Sequence, residues 1–209
     1  MEEHLLQSAS GEFNRKVWTL PGEGPLHVFL DAEFYLNRMD ILPGLQGKKC
    51  VFVSHVDAET RHYDLTCNER YAEFIARDVV GGTSGNLICG LSLSGLAANH
   101  IALLYPDLFP YCLSQSGSYW WNEEWLTAQV TAPISGRFWL SVGDKETDEG
   151  ISHEPTGLRQ NVSQIASVGR MAEALKSTGA DVHHRTFKGG HEMGPWEKEL
   201  PEALSWLLH

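Results

Sequence analysis

The sequence predicts an α/β fold, a mainly parallel sheet covered by helices on both faces. Two observations carry that reading. Short apolar runs alternate with amphipathic stretches along the chain, and one of them, Leu87-Ile88-Cys89, passes through glycine and serine straight into the helix-forming segment Leu96 to Leu104. At 209 residues and 42% hydrophobic content the chain can bury one sizeable core. No repeat, low-complexity tract or linker divides it, so residues 1–209 read as a single domain without a lid domain.

In chain order, the apolar runs predict strands at Lys16 to Leu20, Leu26 to Leu30, Lys49 to Ser54, Asn86 to Leu91, Tyr111 to Ser114, Arg137 to Val142 and Val182 to Phe187. Helices are expected between them. The first, Asn68 to Val80, has a start signal in Thr66-Cys67-Asn68-Glu69, read as a capping box. The second, Leu93 to Leu104, follows the glycine-serine turn. The third, Asn161 to Ser177, gathers Val162, Ile165, Met171, Ala172 and Leu175 largely on one face and stops at Gly179. The last, Trp196 to Leu208, contains Pro201, so it is expected in two pieces or with a late start.

Charge and cysteines exclude several classes. A net charge of −11 without any Lys/Arg-rich run argues against a nucleic-acid groove. No run approaches the ~18 apolar residues of a membrane span, and the N-terminal Met1-Glu2-Glu3-His4 lacks the basic start of a signal peptide. Cys50, Cys67, Cys89 and Cys112 form no C-x-x-C pair, so neither zinc nor a dithiol redox site is suggested, and no cofactor is required. Three of them, Cys50, Cys89 and Cys112, fall in or beside predicted buried strands. A cytoplasmic location is the default expectation.

Chemistry concentrates at Gly90-Leu91-Ser92-Leu93-Ser94-Gly95. A strand turning through Gly-x-Ser-x-small into a helix is the nucleophile elbow of the α/β-hydrolase fold, and it presents Ser92 above the sheet. Ser94 fits less well as nucleophile, because Leu96 would crowd its turn. A serine needs a base, and in this fold the order is serine, acid, histidine. Of the ten histidines, His191 is placed best, in the glycine-bracketed loop Gly189-Gly190-His191 after the last strand. The acid should follow the preceding strand, where Glu146 is the choice and Asp144 the second. The oxyanion donors are expected to be the backbone amides of Leu93 and, from the loop after an early strand, Glu33. Phe34, Tyr35, Tyr119, Trp120, Trp121 and Trp125 could line an apolar acyl or aryl pocket or simply pack between loops. Arg61 could meet an acidic substrate group or pair with Asp64.

These residues resemble the enterochelin esterase and esterase D-like branch of the α/β-hydrolases. The marks are Val28-Phe29-Leu30-Asp31-Ala32-Glu33-Phe34-Tyr35, Arg61-His62-Tyr63-Asp64-Leu65-Thr66-Cys67-Asn68, Cys89 to Gly95, Leu113-Ser114-Gln115-Ser116-Gly117-Ser118-Tyr119-Trp120-Trp121, Gly143-x-x-Glu146 and Gly189-Gly190-His191. The resemblance implies Ser92 as nucleophile, His191 as base and Glu146 as acid. It also implies an oxyanion turn at Asp31-Ala32-Glu33, with alanine where the family has glycine and Ser94 where the elbow has its second glycine. The expected activity is serine carboxylesterase chemistry on small-molecule esters, probing short acyl or aryl groups first. A siderophore trilactone esterase, an acyltransferase that passes the acyl group to an alcohol or thiol, and a non-catalytic ligand-binding protein of hydrolase fold are the alternatives, the last motivated by the two altered small-residue positions.

Overall fold

The structure is a computed structural model that describes residues 1–153 and 156–209. Its sheet has eight strands in the order β1 (Glu2–Gln7), β2 (Asn14–Leu20), β4 (Lys48–Val53), β3 (Glu23–Leu30), β5 (Leu87–Leu91), β6 (Tyr111–Gln115), β7 (Arg137–Gly143) and β10 (Asp181–Phe187). From β4 across to β10 all neighbours are parallel, while β2 pairs antiparallel with β4, and β1 antiparallel with β2. All seven predicted strands form. The edge strand β1 was not expected, because its polar, largely exposed residues carry no hydrophobic alternation to detect.

Alternating residues of the central strands feed two cores, as a two-residue side-chain period requires. Val28, Leu30, Val51, Val53, Ile88, Phe138 and Leu140 meet α4 (Leu93–Leu104) and α6 (Gln164–Ser177) on one face. Phe29, Phe52, Leu87, Cys89, Leu113 and Trp139 meet α1 (Ala32–Asn37) and α7 (Met193–Leu208) on the other. Cys50, Cys89 and Cys112 are free and buried, and burial pushes their thiols upward. Among the described residues no helix is long and apolar enough to cross a membrane.

Three local expectations are corrected. Thr66 does not cap the helix: its hydroxyl donates to the carbonyl of His62, the C-terminal residue but three of α2 (Ala58–Leu65), and Asn68 caps α3 (Glu69–Phe74) by accepting from the amides of Arg70 and Tyr71. A π-helical turn, Ile75–Val79, continues α3. Helix α6 starts at Gln164 rather than Asn161, because Leu158–Gln160 forms β9 of a small antiparallel hairpin with β8 (Ile151–His153). Helix α7 runs unbroken through Pro201, whose ring is exposed while Trp196, Leu200, Leu204 and Leu207 are buried. Burial along a sixteen-residue helix outweighs one missing amide bond.

Helices α1, α2 and α5 (Trp121–Gln129) escaped the pattern reading because they are short or weakly amphipathic, and α5 carries left-handed residues at Asn122, Glu123 and Glu124. Gly169, inside α6, takes no left-handed conformation, and a Cβ there would meet only His184 Cε1 at 3.9 Å. Gly169→Ala is therefore expected to stabilise by about 0.5–1 kcal/mol, read as a higher denaturation midpoint; a lower midpoint would contradict this account of the helix.

Candidate active site

Pairing of Leu91 with Gln115 sets the elbow at the C-terminal end of β5. The chain turns at Ser92 with φ 55 and ψ −122, a conformation that costs a non-glycine residue about 1–3 kcal/mol. Two hydrogen bonds hold it there: the Ser92 amide donates to the Gln115 carbonyl at 2.8 Å, and the Ser118 amide donates to the Ser92 carbonyl at 3.0 Å. Strand and helix are so close that a Cβ on Gly90 would lie 2.0 Å from the Ser94 carbonyl oxygen.

Ser94 fills the second glycine position without loss of order. Its buried hydroxyl donates to the Leu91 carbonyl at 2.8 Å and accepts from the Leu91 amide at 3.0 Å, clipping the turn from inside. That engagement also removes Ser94 as a nucleophile.

His191 follows β10 and reaches back over the sheet. Its Nε2 lies 2.8 Å from Ser92 Oγ, and its Nδ1 lies 2.6 Å from Glu146 Oε2. With Nδ1–H donating to the carboxylate, Nε2 is left to accept the serine proton. The Trp196 ring stands edge-on to the imidazole, centroids 4.9 Å apart. Glu146 is buried, and its Oε1 accepts from the Gly143 amide at 2.7 Å and from the Ser116 hydroxyl at 2.6 Å. Trp196 Nε1 in turn donates to Ser116 Oγ at 3.0 Å.

The second candidate acid is directed elsewhere. Asp144 pairs with Lys188 at 2.6 Å and accepts from the Gly189 amide, and these partners hold its carboxyl below the ordinary range. Glu146→Gln is accordingly expected to lower kcat about 10⁴-fold by disturbing the histidine tautomer, whereas Asp144→Asn should cost less than about tenfold. The reverse ranking in a kcat comparison would exclude Glu146 as the acid.

Leu93 is the first residue of α4, so its amide has no acceptor within the helix. Glu33 is the second residue of α1. The turn between β3 and α1 places Asp31, not Ala32, in the left-handed region, φ 62, which explains how alanine is accommodated where the resemblance implied glycine. Asp31 is buried and takes two charge-assisted contacts: Arg61 donates to both carboxylate oxygens at 2.7–3.0 Å, and His55 Nδ1 lies 3.0 Å away. Burial alone would raise the Asp31 carboxyl, but Arg61 and His55 outweigh it and lower it.

A half-open cavity of about 570 Å³ lies over the elbow. Its lining includes Ser92, Leu93 and His191, then Phe34, Arg61 and His62 from α1 and α2, and Trp120, Ile151, His153 and Leu158 from the residue before α5 and the β8–β9 hairpin. Phe34, Arg61 and Trp120 thus reach the cavity, while Tyr35, Tyr119, Trp121 and Trp125 do not. Tyr35 is fully buried edge-on to Phe29, and Tyr119 is fully buried with its hydroxyl donating to Ser114 Oγ and accepting from Asn99, both at 2.6 Å. Trp121 packs against Trp125. Arg61 pairs with Asp31, because Asp64 is taken by Arg15. The lining hairpin, His62, Ser116 and Gln164, whose side-chain amide donates to the carbonyls of Ser116 and, at 2.9 Å, Gly117, were missed; Ser116 lay within the Leu-Ser-Gln-Ser-Gly-Ser run that carried the resemblance, but nothing in the run distinguished a brace from a spacer.

Fold and site geometry together define a protein of α/β-hydrolase fold in which a serine, a histidine and a carboxylate lie in one hydrogen-bonded row. The chain belongs to the Esterase family, described as "Putative esterase", which it matches over residues 53–207. It is 26% identical to an iron(III) enterobactin esterase of Dickeya dadantii, in an alignment covering 93% of this chain and 52% of that protein. With the iron(III) enterobactin esterase of Escherichia coli K12 it shares 25% identity over 97% of this chain and 56% of the other. The chain spans about half the length of the curated relatives it matches. The enterobactin esterase FES of Shigella flexneri superposes with a TM-score of 0.81 at 23% identity, covering 99% of this chain and 58% of that one. MPT51 (FbpC1) of Mycobacterium tuberculosis superposes with a TM-score of 0.72 at 16% identity, covering 99% and 97%.

Proposed function

We propose that this chain hydrolyses carboxylic esters through an acyl-enzyme on Ser92, acting on small-molecule esters with short acyl or aryl groups and without a metal or cofactor. The observation that carries the reading is the continuous relay of Ser92 Oγ, His191 and Glu146, with contacts of 2.8 and 2.6 Å, opening onto the cavity. Ser92 Oγ attacks the ester carbonyl carbon as its proton passes to His191 Nε2, and Glu146 stabilises the imidazolium. The amides of Leu93 and Glu33 receive the oxyanion, each such donor being worth roughly 3–4 kcal/mol in the transition state. Collapse expels the alcohol, which takes the proton from His191. Water, deprotonated by the same imidazole, then attacks the acyl-enzyme and releases the acid and free Ser92.

A second reading, hydrolysis of a siderophore trilactone, is favoured by the names of the relatives and by the basic side chains Arg61 and Lys145 at the cavity. One experiment separates the two: turnover of short p-nitrophenyl esters against turnover of a ferric catecholate trilactone, alongside fluorophosphonate labelling mapped to Ser92. Labelling with fast ester turnover supports the general esterase, labelling with trilactone preference supports the second reading, and no labelling rejects both. The free, buried cysteines support a reducing, cytoplasmic setting, and residues 1–209 are read as one catalytic domain.

A further inference from the structure

In the reaction proposed above the second oxyanion amide belongs to a glutamate, and an anion beside an oxyanion hole is electrostatically unfavourable to such a reaction. Its carboxylate is held in a compact cluster. The Ser54 hydroxyl donates to Glu33 Oε1, the His55 amide donates to Oε2 at 3.3 Å, and His55 Nδ1 lies 3.0 Å from Oε2. The same Nδ1 lies 3.0 Å from Asp31 Oδ1, so one imidazole spans both ends of the Asp31-Ala32-Glu33 turn. The local backbone is bent to deliver it. Val56, an exposed β-branched residue, has φ 66, with the Asp57 amide donating to the His55 carbonyl at 2.8 Å and the Val56 amide to Ser54 Oγ at 3.0 Å. Such a conformation is a genuine outlier for valine and persists only where its surroundings enforce it.

We infer that His55 is a positioning residue for the oxyanion turn: its imidazolium bridges Asp31 and Glu33, tethering and neutralising the Glu33 carboxylate so that this anion neither covers nor repels charge at the donor amide of the same residue. The inference rests on the esterase reading of the site. The charged groups facing the ring are Asp31, just before α1, Glu33 in its first turn and Arg61 from α2, with Arg38, just after α1, across the Phe34 ring; Asp57 is turned to the amide of Thr60.

Protonation follows the geometry. Burial works against charge on the imidazole, but Asp31 and Glu33 raise it to about 9. Burial likewise opposes ionisation of Glu33, yet His55, Ser54 and its own amide bring it to about 2. Because the His55 value is raised, the bridge is complete below the ordinary histidine range, about 6.5, and is lost as pH rises through about 9.

The test compares kcat and KM for a short p-nitrophenyl ester across neutral and alkaline pH in the intact protein and in His55→Ala, His55→Lys and Glu33→Gln/His55→Ala. His55→Ala should lower kcat about 10- to 100-fold with little change in KM. His55→Lys should retain turnover and move the alkaline fall upward, toward the ordinary lysine value of about 10.4. Removing the Glu33 charge in the alanine background should recover much of the loss. Undiminished kcat in His55→Ala, or a loss confined to KM, overturns the inference. An NMR titration of His55 keeps it falsifiable if the alanine variant does not fold: a midpoint in the ordinary histidine range, unmoved by Glu33→Gln, excludes the bridge. Failure of Ser92-dependent turnover with a raised His55 midpoint would instead sink the esterase reading and leave the bridge standing, though not its role in catalysis.

Discussion

Replacing Ser92 with alanine is expected to lower kcat for short p-nitrophenyl esters by about 10⁶-fold while the protein melts as before. The activity loss follows because, among the described residues, Ser92 is the hydroxyl bonded to His191 Nε2, while Ser94, two residues on, spends both its donor and its acceptor on Leu91. Stability should hold because the left-handed backbone at residue 92 is fixed by main-chain bonds to Gln115 and Ser118, which alanine keeps, and alanine pays a similar conformational cost there. Kinetics, a thermal scan and fluorophosphonate labelling measure the three consequences together. A variant that keeps most of its turnover would remove the acyl-enzyme from the reaction.

Gly90→Ala is the second large effect, and it acts on the fold rather than on the chemistry. The added methyl would sit 2.0 Å from the Ser94 carbonyl oxygen, 2.3 Å from its carbon and 2.7 Å from the Gly95 nitrogen. All three are main-chain atoms, so no rotamer change relieves the clash, and the turn between β5 and α4 must open. We expect a loss of about 3 kcal/mol or more, measured as a shift in the denaturant midpoint, together with loss of turnover as Ser92 leaves its place. The contrast with Gly169→Ala isolates the cause: the same chemical change is expected to stabilise where there is room and to break the structure where strand and helix touch. A Gly90→Ala protein as stable as the parent would mean that the elbow is not packed as described.

Much of this was legible from the chain. Parallel strands covered on both faces are apolar throughout, and so Leu87-Ile88-Cys89 or Phe138-Trp139-Leu140 stand out against their surroundings. The elbow and the glycine-bracketed loop have a steric signature, and the structure brings His191 within hydrogen-bonding reach of both Ser92 and Glu146. Elements that earn their stability from tertiary contact gave no comparable signal. Strand β1 pairs along an edge with polar residues, and the β8–β9 hairpin has strands of three residues each. The aromatic cluster shows a different limit. Tyr119 and Trp120 are adjacent in sequence, yet one is locked into the core through Ser114 and Asn99 while the other faces the cavity and stacks on His153. Composition says that rings gather there; only the backbone path says which of them a ligand could touch. His55 was invisible for a similar reason, since its partners Asp31 and Glu33 lie more than twenty residues away and meet it through pairing of β3 with β4.

The connection from β7 to α6 carries Glu146 near its start and the hairpin wall farther along. Glu146 is anchored independently of that wall, by Gly143, by Ser116, and through its carbonyl by the amide of Ile165 in α6. None of these three partners belongs to the β8–β9 hairpin, although the Gln160 amide group donates to the Asp148 carbonyl two residues after Glu146. Under the esterase reading, substitutions at Ile151, His153 or Leu158 would alter what the cavity admits while leaving the direct partners of Glu146 untouched, so that diet could shift without relearning the chemistry.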